Sequence, residues 1–370
     1  MRMRKFWIEF HKISGLIILI PLLLQSISGS IIVFDHAIDE WLNSDILLTN
    51  DEAGSSPAPI SEVMSAAKTA LPDTSYVSSL RKPRHENTVF MAYVEMQNQS
   101  PYYGKRMEVL INPYTAEVTA VREWGHYFTS FVYLLHFTLL LDEYGALFLG
   151  FLAMLILVNV IIGVYLGWPK SKAAWDWLLA RKHRKTPVIG KLRRWHILTG
   201  LISLPVFVIL ILTGISMIFH DQTEAIFDRP QPPKLVVDND PAQTIAIDSW
   251  LPSVKTHWPD AEWMRIGQPT TASPAATITI RKANDPRKTG GSSMLWLHPQ
   301  TNQVLAEQNY DKLNVRQKTV FWLFPLHSGE ALHMPGRLLV FICGLLTTIL
   351  TIAGGWLWYK RKFRPKRRIT

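Results

Sequence analysis

Four apolar runs without a single Asp, Glu, Lys or Arg constrain this 370-residue chain more than any other feature: residues 13–34, 144–168, 197–219 and 338–359. At ~1.5 Å of rise per residue, about 20 residues cross a ~30 Å hydrocarbon core. The lengths therefore predict four membrane-spanning helices. The first run follows Met1-Arg-Met-Arg-Lys, as the core of a signal peptide would. It is longer than the usual ~7–15 residues and lacks an Ala-x-Ala site near its end, so it reads as a retained anchor. Composition agrees: 48% of the chain is hydrophobic and only 18% charged, against roughly 25% charged for a soluble domain. The single cysteine, Cys343, excludes an internal disulfide, a four-thiolate zinc, an Fe–S cluster and C-x-x-C-H heme attachment.

The net charge of +10 raises the question of nucleic acid, and its distribution answers it. Residues 1–12, 169–196 and 360–370 hold 20 of the 39 Lys and Arg with only Glu9 and Asp176 among them. The rest of the chain is net acidic. The positive-inside rule then places both termini and the 169–196 loop in the cytoplasm, with residues of roughly 35–143 and 220–337 outside. The basic charge is a topology signal and a contact with the lipid bilayer, with no nucleic-acid partner.

The chain also repeats itself. Phe10-His-Lys-Ile-Ser-Gly-Leu-Ile recurs as Trp195-His-Ile-Leu-Thr-Gly-Leu-Ile, Ser28-Gly29 as Thr213-Gly214, and Phe34-Asp-His as Phe219-His-Asp. Leu135-His136 precedes Gly145 by the same nine-residue step that separates Leu326-His327 from Gly336. Each half reads as helix, outer module, helix, and the halves run in the same direction, which predicts a pseudo-twofold axis along the membrane normal. The outer modules repeat as well. A helix over 60–71 leads to strands near 76–82, 88–95, 106–111 and 117–122, and a helix over 247–257 to strands near 263–267, 276–281, 294–297 and 303–307. The last two strands of each set flank a turn, Asn112-Pro-Tyr-Thr or His298-Pro-Gln-Thr. Residues 50–59 and 229–243, rich in Pro, Ser, Asp and Ala, read as linkers.

On these residues the chain resembles the PepSY-associated transmembrane proteins. The resemblance rests on His11-x-x-x-Gly15, His196-x-x-x-Gly200, the Ser28-Gly29 and Thr213-Gly214 steps, Leu326-His327-Ser-Gly-Glu leading to Gly336-Arg337, and the two Pro-x-Thr hairpins, which look like PepSY modules. It implies an α-helical membrane protein, four transmembrane helices in two parallel repeats, with two α+β PepSY-like periplasmic domains. The expected boundaries are 1–36 for the N-terminus and first span, 37–125 for the first module, 126–168 for an interfacial helix and second span, and 169–195 for the basic loop. The third span takes 196–220, the second module 221–325, the outer His segment and fourth span 326–359, and the basic tail 360–370. The double-repeat, four-span form is similar to inner-membrane siderophore reductases that carry two b-type hemes. The first half departs from the motif, with Phe137-Thr138-Leu139 where the second has Ser-Gly-Glu.

Read by themselves, the histidines sort by depth. Seven of the 12 sit at or beside the ends of apolar segments: His11, His36, His136, His196, His220, His327 and His333. His11 and His196 lie at the cytoplasmic ends of spans one and three, and His36 and His220 lie ~36 Å further along those helices. His136, His327 and His333 precede spans two and four on the outer side. Residues 127–141 are expected as a helix at the outer interface. Ionisable groups at membrane depth tend to line functional sites, and two layers of imidazoles without usable thiolates fit two bis-His heme b centres best. Zinc or copper would use the same imidazoles, and the chain lacks the outer Met-rich or His-rich tracts of a copper carrier. Symmetry pairs His11 with His196 and His136 with His327, leaving His36, His220 and His333 as alternates. On helical wheels of ~100° per residue, Gly15 and Gly29 share the face of His11, and Gly200 and Gly214 that of His196. Such a face offers a groove for a planar ring, or equally a close helix–helix contact through small residues. His85, His126, His183, His257 and His298 fall in loops or modules and read as structural or solvated.

No Gly-rich phosphate loop, dinucleotide fingerprint, G-x-S-x-G or H-E-x-x-H occurs. The cytoplasmic segments are too short for a flavin or nicotinamide domain, so electrons would come from a quinol or a separate cytoplasmic donor. The expectation is a bacterial inner-membrane, multi-pass oxidoreductase that passes electrons outward to reduce a ferric-siderophore in the periplasm and release its iron. The competing expectations are a non-enzymatic PepSY binding or accessory protein, and a siderophore permease. Against the permease, spans two and four carry few polar residues beyond Asn159, Thr347, Thr348 and Thr351.

Overall fold

The computed structural model describes residues 2–49, 56–71, 75–96, 104–180, 186–238, 247–270 and 273–363. In chain order the elements are α1 (Arg2–Ile32), α2 (Asp35–Leu42), α3 (Ser44–Leu47), α4 (Ile60–Thr69), β1 (Ser75–Arg81), β2 (Phe90–Met96), β3 (Met107–Ile111), β4 (Val118–Glu123), α5 (Phe128–Thr138), α6 (Asp142–Gly167), α7 (Lys172–Leu178), α8 (Val188–Ile218), α9 (His220–Phe227), α10 (Trp250–His257), β5 (Glu262–Gly267), β6 (Ala276–Arg281), β7 (Ser293–Leu297), β8 (Val304–Gln308), α11 (Val315–Ser328) and α12 (His333–Lys362). They form two compact units. One gathers residues 1–34, 132–223 and 326–370, the other 35–131 and 224–325.

The first unit is a bundle of the four long helices, α1, α6, α8 and α12, each long and apolar enough to cross a membrane. Neighbouring contacts run in the cycle α1–α12–α8–α6, so each helix packs on two others. Ile18 and Leu22 of α1, Leu149, Leu152 and Ile156 of α6, Phe207 and Ile211 of α8 and Cys343 of α12 make the central apolar cluster. Large side chains such as Ile20, Phe151, Ile161 and Ile202 point outward and stay exposed, the pattern of a surface whose solvent is lipid. Small residues bring helices close: a Cβ on Gly344 of α12 would stand 3.0 Å from the Ser26 carbonyl of α1. Pro21 and Pro205 interrupt α1 and α8 near their middles, which helix neighbours in a membrane tolerate.

The second unit is a single antiparallel sheet of eight strands in the order β4-β3-β2-β1-β5-β6-β7-β8. Its strands follow from alternation. In β6, Ala276, Ile278 and Ile280 are buried on one face while Thr277, Thr279 and Arg281 are half-buried on the other. Ile60, Val63, Met64 and Ala67 of α4 form an i, i+3, i+4, i+7 stripe that packs, with Trp250 and Val254 of α10, onto that core face. Both Pro-x-Thr turns close alike. The Asn112 and His298 backbones each bond across the turn, to Glu117 and Gln303. The Asn112 Oδ1 and His298 Nδ1 atoms each accept from two turn amides.

Two differences from the sequence reading stand out. The two α+β modules are not separate sheets: β1 pairs with β5 through Ser79↔Gly267, Leu80↔Ile266 and Arg81↔Arg265, and one apolar core runs beneath both. Joining the first strand of each set removes two open sheet edges. The segment before His327 is a 14-residue helix, α11, which Pro325 and a short apolar stretch hid from periodicity. Of the expected linkers, residues 50–55 and 239–243 lie outside the described residues, as does His183.

Candidate functional site

His11 stands on α1 and His196 on α8, which do not neighbour each other in the bundle cycle, yet their rings meet with centres 6.2 Å apart and planes at 70°. His136 of α5 and His327 of α11 form a second pair, with centres 6.3 Å apart and planes at 57°. Eighteen residues of α1 separate His11 from Gly29, which touches the His136 ring, so the two pairs lie about 27 Å apart along that helix.

Each ring is fixed through Nδ1. His11 Nδ1–H donates to the Asn159 carbonyl at 3.2 Å, and the Asn159 side chain donates back to the His11 carbonyl at 3.2 Å. His196 Nδ1–H donates to the Leu350 carbonyl at 2.9 Å. His136 and His327 meet hydroxyls instead, Ser28 Oγ at 3.0 Å and Thr213 Oγ1 at 2.9 Å. Both hydroxyls spend their proton on the carbonyl four residues back, Leu24 and Ile209. They must therefore accept from the imidazole. All four histidines are held as the Nδ1–H tautomer, which leaves Nε2 with a bare lone pair, the form that ligates metals.

Each ring also lies against a glycine of another helix. A Cβ on Gly163 would stand 3.0 Å from His11 Cε1, one on Gly354 2.9 Å from His196 Cε1, one on Gly29 2.9 Å from His136 Cε1, and one on Gly214 3.4 Å from His327 Cε1. The donor set fits heme. The four rings come as two close pairs, and the Nδ1 bonds leave an Nε2 lone pair on each, so each pair would offer two neutral imidazole ligands to a heme iron. No group of three or more His, Cys, Asp or Glu comes together among the described residues. A bare zinc ion would thus lack ligands that a porphyrin brings with it. The buried Gln25 Nε2, one turn before Gly29, has no hydrogen-bond partner and offers a donor near the second pair.

A family model described as PepSY-associated TM region matches residues 8–361. The chain belongs to this family. No curated protein matches the chain.

In this member of the PepSY-associated TM family, the remaining sequence candidates take other positions. His36 sits in α2 with Nδ1 3.2 Å from Asp35 Oδ1. His220 opens α9 beside Asp221 with its side chain 56% exposed. His333 opens α12, exposed and with a φ of 54°. His85 and His257 pair with Glu40 and Glu307, His126 is exposed beside Glu123, and His298 closes its turn.

Of the glycines on the His11 and His196 faces, Gly29 and Gly214 lie against planar rings of other helices, His136 and His327. Gly15 faces Asn159 and Gly200 faces Leu350. The seats for His11 and His196, Gly163 and Gly354, went unseen, as did the acceptor roles of Asn159, Leu350, Ser28 and Thr213. The repeated Ser28-Gly29 and Thr213-Gly214 dipeptides carried half of that signal. At the His196 end of α8 a cavity of about 450 Å³ lies beside Ile197, lined by Arg4, Lys170 and Arg193 with Tyr165, Trp168 and Trp177.

Proposed function

We propose that this PepSY-associated membrane protein is a bacterial inner-membrane heme b oxidoreductase. In this reading both termini are cytoplasmic, the two halves are parallel repeats with their sheet in the periplasm, and the protein reduces a ferric-siderophore there to release its iron. The observation that carries the reading is the pair of pairs: His11 with His196, and His136 with His327, each two rings with centres about 6 Å apart and Nδ1 engaged by another group.

When bound at these pairs, heme supplies a one-electron couple that the side chains of this protein lack. The chain's own contribution is placement. Asn159, Leu350, Ser28 and Thr213 orient the imidazoles and raise their basicity through Nδ1–H. Gly163, Gly354, Gly29 and Gly214 leave room for the rings. Ile18, Leu22, Ile156, Phe207 and Ile211 keep the space between the layers dry, which holds the dielectric low around each centre. The cavity at Arg4, Lys170 and Arg193 is the natural approach for the electron donor, a quinol or a cytoplasmic protein.

The test is a visible spectrum of the detergent-purified protein before and after dithionite, with a pyridine hemochrome assay. The expected result is a sharp low-spin b-type α-band at about two hemes per chain, reoxidised by a ferric-siderophore. A colourless protein from heme-replete cells would sink the reading.

A further inference from the structure

Where β1 and β5 join the sheet, Arg81 stands directly opposite Arg265. Like charges at opposed positions weaken a strand pair, so this placement asks for a reason. Two more arginines gather there. Burial above all draws the pKa of the Arg265 guanidinium below its ordinary value; Tyr93 opposes it, and Arg81, Arg106 and Arg287 add to the lowering. Tyr93 of β2, 8% exposed, lies under two of them, with Arg106 Cζ 4.7 Å and Arg265 Cζ 4.9 Å from its ring centre. Arg106 also stacks on Trp124 at 5.1 Å, and Arg287 on Phe324 at 4.9 Å.

Among the described residues, no carboxylate forms an ion pair with Arg81, Arg106 or Arg265. The nearby acids are engaged elsewhere: Glu108 by Arg122, Glu262 by Lys82 and Arg281, Glu123 by Lys105. Arg81 spends one bond on the Thr289 carbonyl at 3.3 Å. Stacked on the Tyr93 ring, Arg106 and Arg265 keep their N–H edges available, and such an edge matches paired oxyanions. Arg106 and Arg287 are exposed and Arg81 and Arg265 half-buried, so a ligand can reach the cluster.

We propose that the Arg81, Arg106, Arg265 and Arg287 cluster around Tyr93 is the binding site for an oxyanionic ferric chelate of the catecholate or carboxylate class. The identification of the ligand as a ferric chelate rests on the reductase reading above; the anionic chemistry of the site does not. The same chemistry could be met by the phosphate of an anionic lipid, and the test separates the two.

The experiment uses the full chain in nanodiscs and redox-inert gallium chelates, so that binding is read without electron transfer. Gallium tris-catecholate and gallium citrate should bind, more weakly as NaCl rises, while a gallium tris-hydroxamate bearing a free amine binds at least about tenfold more weakly. Arg81→Gln and Arg265→Gln should each weaken catecholate binding by about tenfold or more, with Tm unchanged or raised because a like-charge pair is relieved. Arg265→Lys should keep the salt dependence. Equal binding of the hydroxamate, unaltered affinity in R265Q, or a fall in Tm alongside the fall in affinity would overturn the proposal. So would catecholate binding in phosphatidylcholine discs that is abolished by phosphatidylglycerol, which assigns the cluster to lipid. Heme content of the same preparation reports on the reductase reading separately.

Discussion

At the scale of single residues, the four histidines depend on partners that keep Nδ1 protonated. On the proposed heme reading, replacing His11 or His196 by Ala should remove one heme and leave the other, and His136→Ala or His327→Ala should do the reverse. Hemochrome assays should fall from about two hemes to about one in every case. Thr213→Val keeps the side-chain shape and deletes the acceptor for His327. Heme retention at that pair, challenged with apomyoglobin, should drop roughly 10–100-fold. The histidines were legible because each stands in a short motif that recurs in the other half, His11-x-x-x-Gly15 with His196-x-x-x-Gly200 and Leu135-His136 with Leu326-His327. Asn159 and Leu350 were not, because their backbone carbonyls act 148 and 154 residues from the rings they hold, and a carbonyl has no residue signature. Elsewhere, Arg122 bonds Glu108 at 2.8 Å and Asp39 at 2.9 Å and stacks on Tyr127 at 3.8 Å. Burial would lower its pKa, yet Tyr127, Glu108 and Asp39 carry it above the ordinary value. Glu108 is wholly inaccessible, so Arg122→Ala strands a buried carboxylate and should cost about 3–5 kcal/mol, read as a large fall in Tm.

At the scale of elements, the α11–α12 and α5–α6 connections both take left-handed backbone, but on different residues. In the second half Gly329 takes a φ of 78°, and a Cβ there would stand 2.5 Å from the Gly336 backbone. In the first half, where Phe137-Thr138-Leu139 stands for Ser-Gly-Glu, the left-handed residues are Leu139, Leu140 and Asp142 at φ of 52°, 61° and 48°. Leucine is disfavoured in that region and glycine is not. Leu140→Gly should therefore stabilise the protein by up to about 1 kcal/mol, whereas Gly329→Ala should destabilise it by more than that, both measured as Tm shifts. The departure from the motif was visible in the sequence; its structural price appears only in the backbone. Helices and strands were largely legible because apolar runs of membrane length and strict alternation are local signals. Helix α11 was not, since its Val315-Arg-Gln-Lys start and internal Pro325 blur any period.

At the scale of the whole molecule, the sheet is one object built from two distant stretches of chain. Nothing local in β1 or β5 announces their pairing, because both strands show the same alternation whether they lie at an edge or in the middle. The arginine cluster was hidden for the same reason: its members sit on β1, β5 and two connections and converge only through that pairing. A chain split between residues 181 and 185 and expressed as two pieces should copurify as one complex, whereas either piece alone, with a central strand bare, should aggregate or be degraded. Recovery of a stable, monomeric first half would contradict the shared core.

The β1–β5 seam also sets a clock on biosynthesis. More than 180 residues separate Arg81 from Arg265, and at roughly 5–20 residues per second the ribosome needs about 10–35 s to supply the second strand after the first. Throughout that interval the early half of the sheet exists with an unmatched flank. The cell's proteases and holdase chaperones thus meet every copy of this protein in a half-finished state, and slowing translation between the two strands should lower its yield without altering a single contact in the finished fold.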